Sequence, residues 1–192
     1  MKVSKNWLKD YLNLDNYSDS ELEKLINAHV CETESYEKMV EATCLTIGHV
    51  LECVEHPNSD HLHVCQVEIR PGEVSQIVCG APNVAAGQKV IVALPGAVLP
   101  GDFKIKPAKV RGVESNGMIC SLQELGIEEK YIDEDFKHGI YVFDDEAEVG
   151  NDPLEYLGFD DYVIDLDLTS NRSDLLSVEG VAFDLGAVLN QT

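Results

Sequence analysis

The sequence predicts a mainly β protein with α+β flanks, an OB-type β-barrel inserted into a small discontinuous α/β module. Three features of its 192 residues lead there. From Ala42 the apolar pattern has a period of two and is broken every few residues by Gly or Pro, the mark of short strands in a barrel or sandwich. Residues 1–38 read instead as two amphipathic helices, and residues 151–192 as one strand and one helix. Neither end is long enough to bury a core alone, so the two are expected to pack together, with residues 39–150 as the insertion.

Ser4 is placed to cap a first helix with Trp7, Leu8, Tyr11 and Leu12 on one face. Ser18 and Glu21 have the spacing of a capping box for a second, whose inner side is Leu22, Leu25 and Ile26, with His29 half-buried on the same stripe. Leu45, Ile47, Leu51 and Cys53 then share one face of a long strand, with a bulge expected at Gly48. A turn at 56–60 leads to a second strand (His63, Cys65, Val67, Ile69) and Pro71-Gly72 to a third at 77–79. The continuous apolar run at 90–94 is a fourth, and two more are expected around Ile105 and Met118, a count that fits a five-stranded barrel with additions. Residues 126–150 are acidic and turn-rich, with one short strand at 140–143, and read as a solvated connection. Residues 163–168 alternate as a strand. Val178, Val181, Ala182, Leu185, Val188 and Leu189 share one face of a last helix, which stops at Thr192 as at a cut end.

The net charge of −21 argues against coating nucleic acid over the whole surface, and no DNA partner is expected. The acidity is uneven: residues 126–192 hold 18 acidic and 3 basic groups. Ahead of them Lys104, Lys106, Lys109 and Arg111 form a basic island that a phosphate backbone could approach while the acidic third restricts its orientation. Four cations suit about 3–4 phosphates, giving weak, salt-sensitive binding without sequence reading. The adjoining turn offers Ser115, Asn116, the flexible thioether of Met118 and backbone amides to unpaired bases. Aromatic stacking residues are scarce there, with only Phe103 nearby.

Other chemistry finds little support. His56, Asp60, His61 and His63 lack a convincing third-ligand spacing, and the Asp165 segment has Ser170 and Leu176 where a calcium loop needs Gly and Glu. No nucleophile elbow, phosphate-binding loop or dinucleotide fingerprint is present, so no active site and no cofactor are expected in this chain. The six cysteines form no CxxC pair and read as reduced thiols, with Cys53, Cys65 and Cys79 buried in strands. No run is long enough to span a bilayer and no cleavable apolar segment opens the chain, which points to a cytoplasmic protein without a membrane partner.

Three stretches carry a family resemblance: residues 56–62 (HPNSDHL), 77–83 (IVCGAPN) and 109–118 (KVRGVESNGM). Together they resemble the EMAP-II-like tRNA-binding OB domain. The flanks, residues 3–12 (VSKNWLKDYL) and 168–177 (LTSNRSDLLS), resemble the N-terminal region of the bacterial phenylalanyl-tRNA synthetase β subunit, in which that barrel is inserted. The resemblance implies a non-catalytic, tRNA-binding and architectural piece of a ligase that joins phenylalanine to its tRNA with ATP and Mg²⁺. That family assembles from two α and two β subunits, with aminoacylation on α. By the same resemblance Lys104, Lys106, Lys109, Arg111, Ser115, Asn116 and Met118 lie on the tRNA side of the barrel. The pattern departs at Ser170 and Ser173, where the family has Pro, and at Phe183-Asp184, where it has Arg-Glu. Asn171 and Arg172 are therefore expected to cap the last helix. A free-standing tRNA-binding protein and a purely structural interaction domain are the alternatives.

Overall fold

A computed structural model describes residues 1–191; Thr192, where the sequence suggests a cut end, lies outside them. Strand β1 (Lys2–Ser4), helices α1 (Lys5–Lys9) and α2 (Asp19–His29) and strand β2 (Glu32–Lys38) come first. The long strands β3 (Leu45–Glu55), β4 (His63–Arg70), β5 (Glu73–Cys79) and β6 (Lys89–Ala93) follow. Then come the short strands β7 (Val98–Leu99), β8 (Phe103–Lys104), β9 (Ala108–Val110), β10 (Val113–Ser115), β11 (Met118–Ile119) and β12 (Val142–Phe143). Helix α3 (Pro153–Tyr156), strand β13 (Tyr162–Asp167) and helix α4 (Val178–Leu189) complete the chain.

Met1–Met39 and the chain from Asp160 onward form one compact unit. Its antiparallel sheet has the order β1-β13-β2, so the first and last segments share backbone hydrogen bonds. They also share a core, in which Leu8, Leu22, Ile26, Ile164, Leu166, Leu175, Val181 and Leu185 are buried. Ser4 caps α1 by accepting from Trp7 N, and Ser18 with Glu21 forms the capping box of α2. The segment before Met39 thus holds two strands besides the two helices expected. β1 is only three residues long and β2 (ETESYEK) is too polar to show a buried face in the sequence. Trp7 and Tyr11 are 63% and 54% exposed, because α1 is too short to bury more than Leu8. His29 is exposed at the end of α2. Ser177, rather than Asn171 or Arg172, caps α4, accepting from Gly180 N at 3.0 Å. Arg172 instead ties three segments, donating to Asp174, Asp184 and the carbonyl of Val30.

Val40–Phe159 is the second unit. The division falls after Phe159, not after Gly150, because Leu154, Leu157 and Phe159 pack into this unit's core. Its main sheet runs β11-β6-β3-β4-β5, all antiparallel, with β12 also on β6. The interior holds Val50, Cys65, Val67, Ile77, Cys79, Val90, Val92 and Ile119. Gly48 lies flat in β3 opposite Val90, and a Cβ there would come within 2.7 Å of Val92 and 2.8 Å of Val67. Close packing, not a bulge, accounts for that glycine. The bulge falls at Leu51, between Val50 and Glu52, and it reverses the alternation: Leu51 is left 43% exposed while Cys53 turns in to face Cys65.

Ile47, Ile91 and Ala93 belong to a second cluster on the outer face of β3 and β6, with Leu125, Ile132, Phe143 and Ala147. β6 is buried on both faces, which is why it reads as an unbroken apolar run. Residues 126–150 are therefore a cover rather than a solvated connection, anchored by buried apolar residues between exposed acidic ones. Asn83 fastens it, its amide bonding both the N–H and the carbonyl of Ile140 at 2.9 Å. All six cysteines are free thiols; Cys65, Cys79 and Cys120 are buried, Cys53 is half-buried and Cys44 is exposed. Among the described residues no helix is long and apolar enough to cross a membrane.

Candidate nucleic-acid interface

The candidate residues surround the seam where the main sheet curls back on itself. No continuous strand pairing joins β5 to β11; the segment 114–119 bridges them. On the β5 side Gln76 Nε2 donates to Glu114 O (2.8 Å), Val78 N to Ser115 Oγ (3.0 Å) and Asn116 N to Gln76 O (2.8 Å). On the far side Met118 and Ile119 pair with Ala93 and Val92 of β6. Gly117 makes the crossing at φ 134°, where a Cβ would sit 2.9 Å from the Ala93 carbonyl oxygen.

β9 and β10 form a hairpin outside the main sheet, Val110 facing Val113 across the two-residue turn Arg111-Gly112. Both turn residues have positive φ, 46° and 92°, as a tight type I′ hairpin requires. The turn that follows β3 grips this tip. His56 is 3% exposed; its Nδ1 accepts from Asn58 N (3.0 Å), so its Nε2 carries the proton and donates to Val110 O (3.0 Å). Asn58 Nδ2 donates to Arg111 O (3.1 Å), and Arg111 Nη1 donates back to Asn58 O (3.3 Å).

Beside the hairpin lies a cleft of ≈ 740 Å³. Buried Ile105, Ile119 and Ile140 line it from within, and exposed Phe103, Lys104, Lys106, Gln123, Glu124 and His138 line it towards solvent. The cleft is thus apolar inside and polar at its edge, where Lys104 and Lys106 line it together with Glu124.

The expected site residues fall into two groups. Lys104, Lys106, Ser115 and Met118 line the cleft. Lys109 and Arg111 stand on the hairpin, and Asn116 is held in the seam by Gln76 and Ser75. They do not form one straight ridge, because β9 turns Ala108 and Val110 to the cleft and leaves Lys109 between them off its lining. Ser115 is spent: it is 5% exposed, accepts from Val78 N and donates to Gly117 O. Lys109 lies 3.7 Å from Glu114, but both side chains are about two-thirds exposed (69% and 66%), and so open a pair holds its lysine weakly. Gln123 and Glu124 come from just ahead of the acidic cover and His138 from within it, where nothing in the sequence pattern marks them. His61 is paired with Asp60, and among the described residues no three His, Cys, Asp or Glu side chains converge as metal ligands.

Fold and site together define a small antiparallel β-barrel module with a cationic edge. The model of the family described as "Putative tRNA binding domain" matches residues 45–152, more than half of the chain. The chain belongs to that family. It is 55% identical, over all of its length, to the phenylalanine–tRNA ligase beta subunit of Halalkalibacterium halodurans. It is 50% identical to that of Bacillus subtilis over 99% of its length. In both cases the chain spans 24% of the relative's own length. Among solved structures, the MetRS related protein of Pyrococcus horikoshii shares 24% identity over 55% of this chain and 84% of its own, with a TM-score of 0.40.

Proposed function

We propose that this chain is the N-terminal region of a phenylalanine–tRNA ligase β subunit and serves there as an auxiliary tRNA-binding and architectural module. The observation that carries the reading is the placement of charge. Of the eight basic residues between Val40 and Phe159, four fall between 104 and 111, around one cleft and its adjoining hairpin. Lys104, Lys106, Lys109 and Arg111 would meet backbone phosphates, while Asn116 and Met118 offer an amide and a thioether to an unstacked base. Ser115 would shape the site from beneath. Aminoacylation, with its ATP and Mg²⁺, belongs by this reading to parts of the enzyme outside the chain. So do the contacts with an α subunit and a second β subunit, and the setting is the cytoplasm.

Phosphate-dominated binding releases counterions and weakens as salt rises. Titrating the 192-residue chain with tRNA should therefore give saturable binding at low salt that falls steeply at moderate salt. Undetectable binding at both would leave a purely structural role.

A further inference from the structure

The turn at 56–61 is one of the sequence's marked motifs, yet phosphate contact by the lysines does not use it. It carries no metal set, and its only cation candidate, His61, is paired with Asp60. Its hydrogen bonds run instead to the tip of the basic hairpin. We propose that His56 and Asn58 are positioning residues, holding Arg111 in the one backbone conformation that presents its guanidinium to a phosphate. The proposal rests on the tRNA-binding reading above.

Arg111 needs such support. Its φ of 46° lies in the left-handed region that non-glycine residues seldom adopt. The hairpin is secured at its base, where Glu114 and Ser115 join β5, but β9 and β10 pair only with each other. At the tip the bonds form a closed circuit. His56 holds Val110 O and, through Nδ1, the backbone of Asn58. Asn58 then holds Arg111 O and accepts from Arg111 Nη1, all between 3.0 and 3.3 Å. One of the five guanidinium donors is used, so its orientation is set while the others stay open to a bidentate anion. His56 is buried, and Asn58 contributes mainly through its amide. Neither needs to touch RNA to matter.

The test is a double-mutant cycle on the 192-residue chain, reading tRNA affinity at one low salt concentration and backbone amide exchange by NMR. Asn58→Ala is expected to weaken binding about threefold when Arg111 is present and to change nothing in an Arg111→Ala background, since Asn58 acts on RNA only through the guanidinium that Arg111→Ala removes. The Arg111 and Gly112 amides should exchange faster in Asn58→Ala while those of β4 and β5 stay as they were. Equal losses in both backgrounds would overturn the inference. So would no loss from Asn58→Ala where Arg111→Ala does weaken binding. If Arg111→Ala binds tRNA as the parent does, the hairpin is not a phosphate contact, and the positioning role for binding falls with it. The exchange data then decide the clasp itself, which unchanged Arg111 and Gly112 amides would also remove.

Discussion

Gly117 carries the seam. At φ 134° it turns the chain from β5 to β6, with 2.9 Å between a would-be Cβ and the Ala93 oxygen and 3.3 Å to Ile77 Cδ1. Gly117→Ala should destabilise the chain by about 1–3 kcal/mol, from backbone strain together with the close approach. It should appear as an earlier urea midpoint, and an unchanged midpoint would mean that the barrel does not close through this residue. At this scale the sequence told only part of the story. Exposed Lys104 and Lys106 flanking buried Ile105 could be read from alternation, but the fate of Ser115 could not. A serine in a polar turn looks the same whether its hydroxyl faces solvent or bonds a strand amide. His56 and Asn58 likewise read as turn residues, because their partners lie more than fifty positions away.

Elements with one wet face and one dry face were legible, and those with neither were not. The capping box of α2 and the apolar stripes of α2 and α4 could be read directly, whereas the Ser177 cap of α4, polar β2 and three-residue β1 could not. In β3 the bulge at Leu51 changes which residues face inward halfway along, so a single alternating pattern could not describe the strand. The cover over β6 looked solvated because its few anchoring apolar residues are diluted by exposed carboxylates. In the first unit, α1, α2 and β2 meet at Asp19, which accepts from Lys5 Nζ and Tyr36 Oη. Partial burial alone would raise its pKa. The Lys5 hydrogen bond and charge, with the Tyr36 hydroxyl, outweigh that and hold it below the ordinary 3.8. A carboxylate depressed by folding stabilises the fold above its unfolded pKa and loses that contribution as pH falls through the folded value. The helical circular dichroism signal should therefore become easier to denature below about pH 4. Asp19→Asn should flatten that acid dependence, and an unchanged acid limb in the variant would show that the junction is not the sensitive one.

For the whole molecule the decisive feature is charge placement in an acidic chain. A net charge of −21 repels RNA everywhere except where cations cluster, so binding must be local and oriented. The strand-rich middle segment and its basic residues were accessible to sequence reading. The division of those basic residues between a cleft and a hairpin was not, since it depends on which residues of β9 face the cleft. The most direct measurement is the salt dependence of tRNA affinity for the 192-residue chain and for a Lys104→Ala/Lys106→Ala variant, whose lysines make no ion pair among the described residues. With three to four phosphate contacts at ~0.7–0.9 each, log affinity should fall against log salt with a slope of about −3, and the double variant should lose roughly half of it. A slope that stays the same when both lysines are removed would contradict the account.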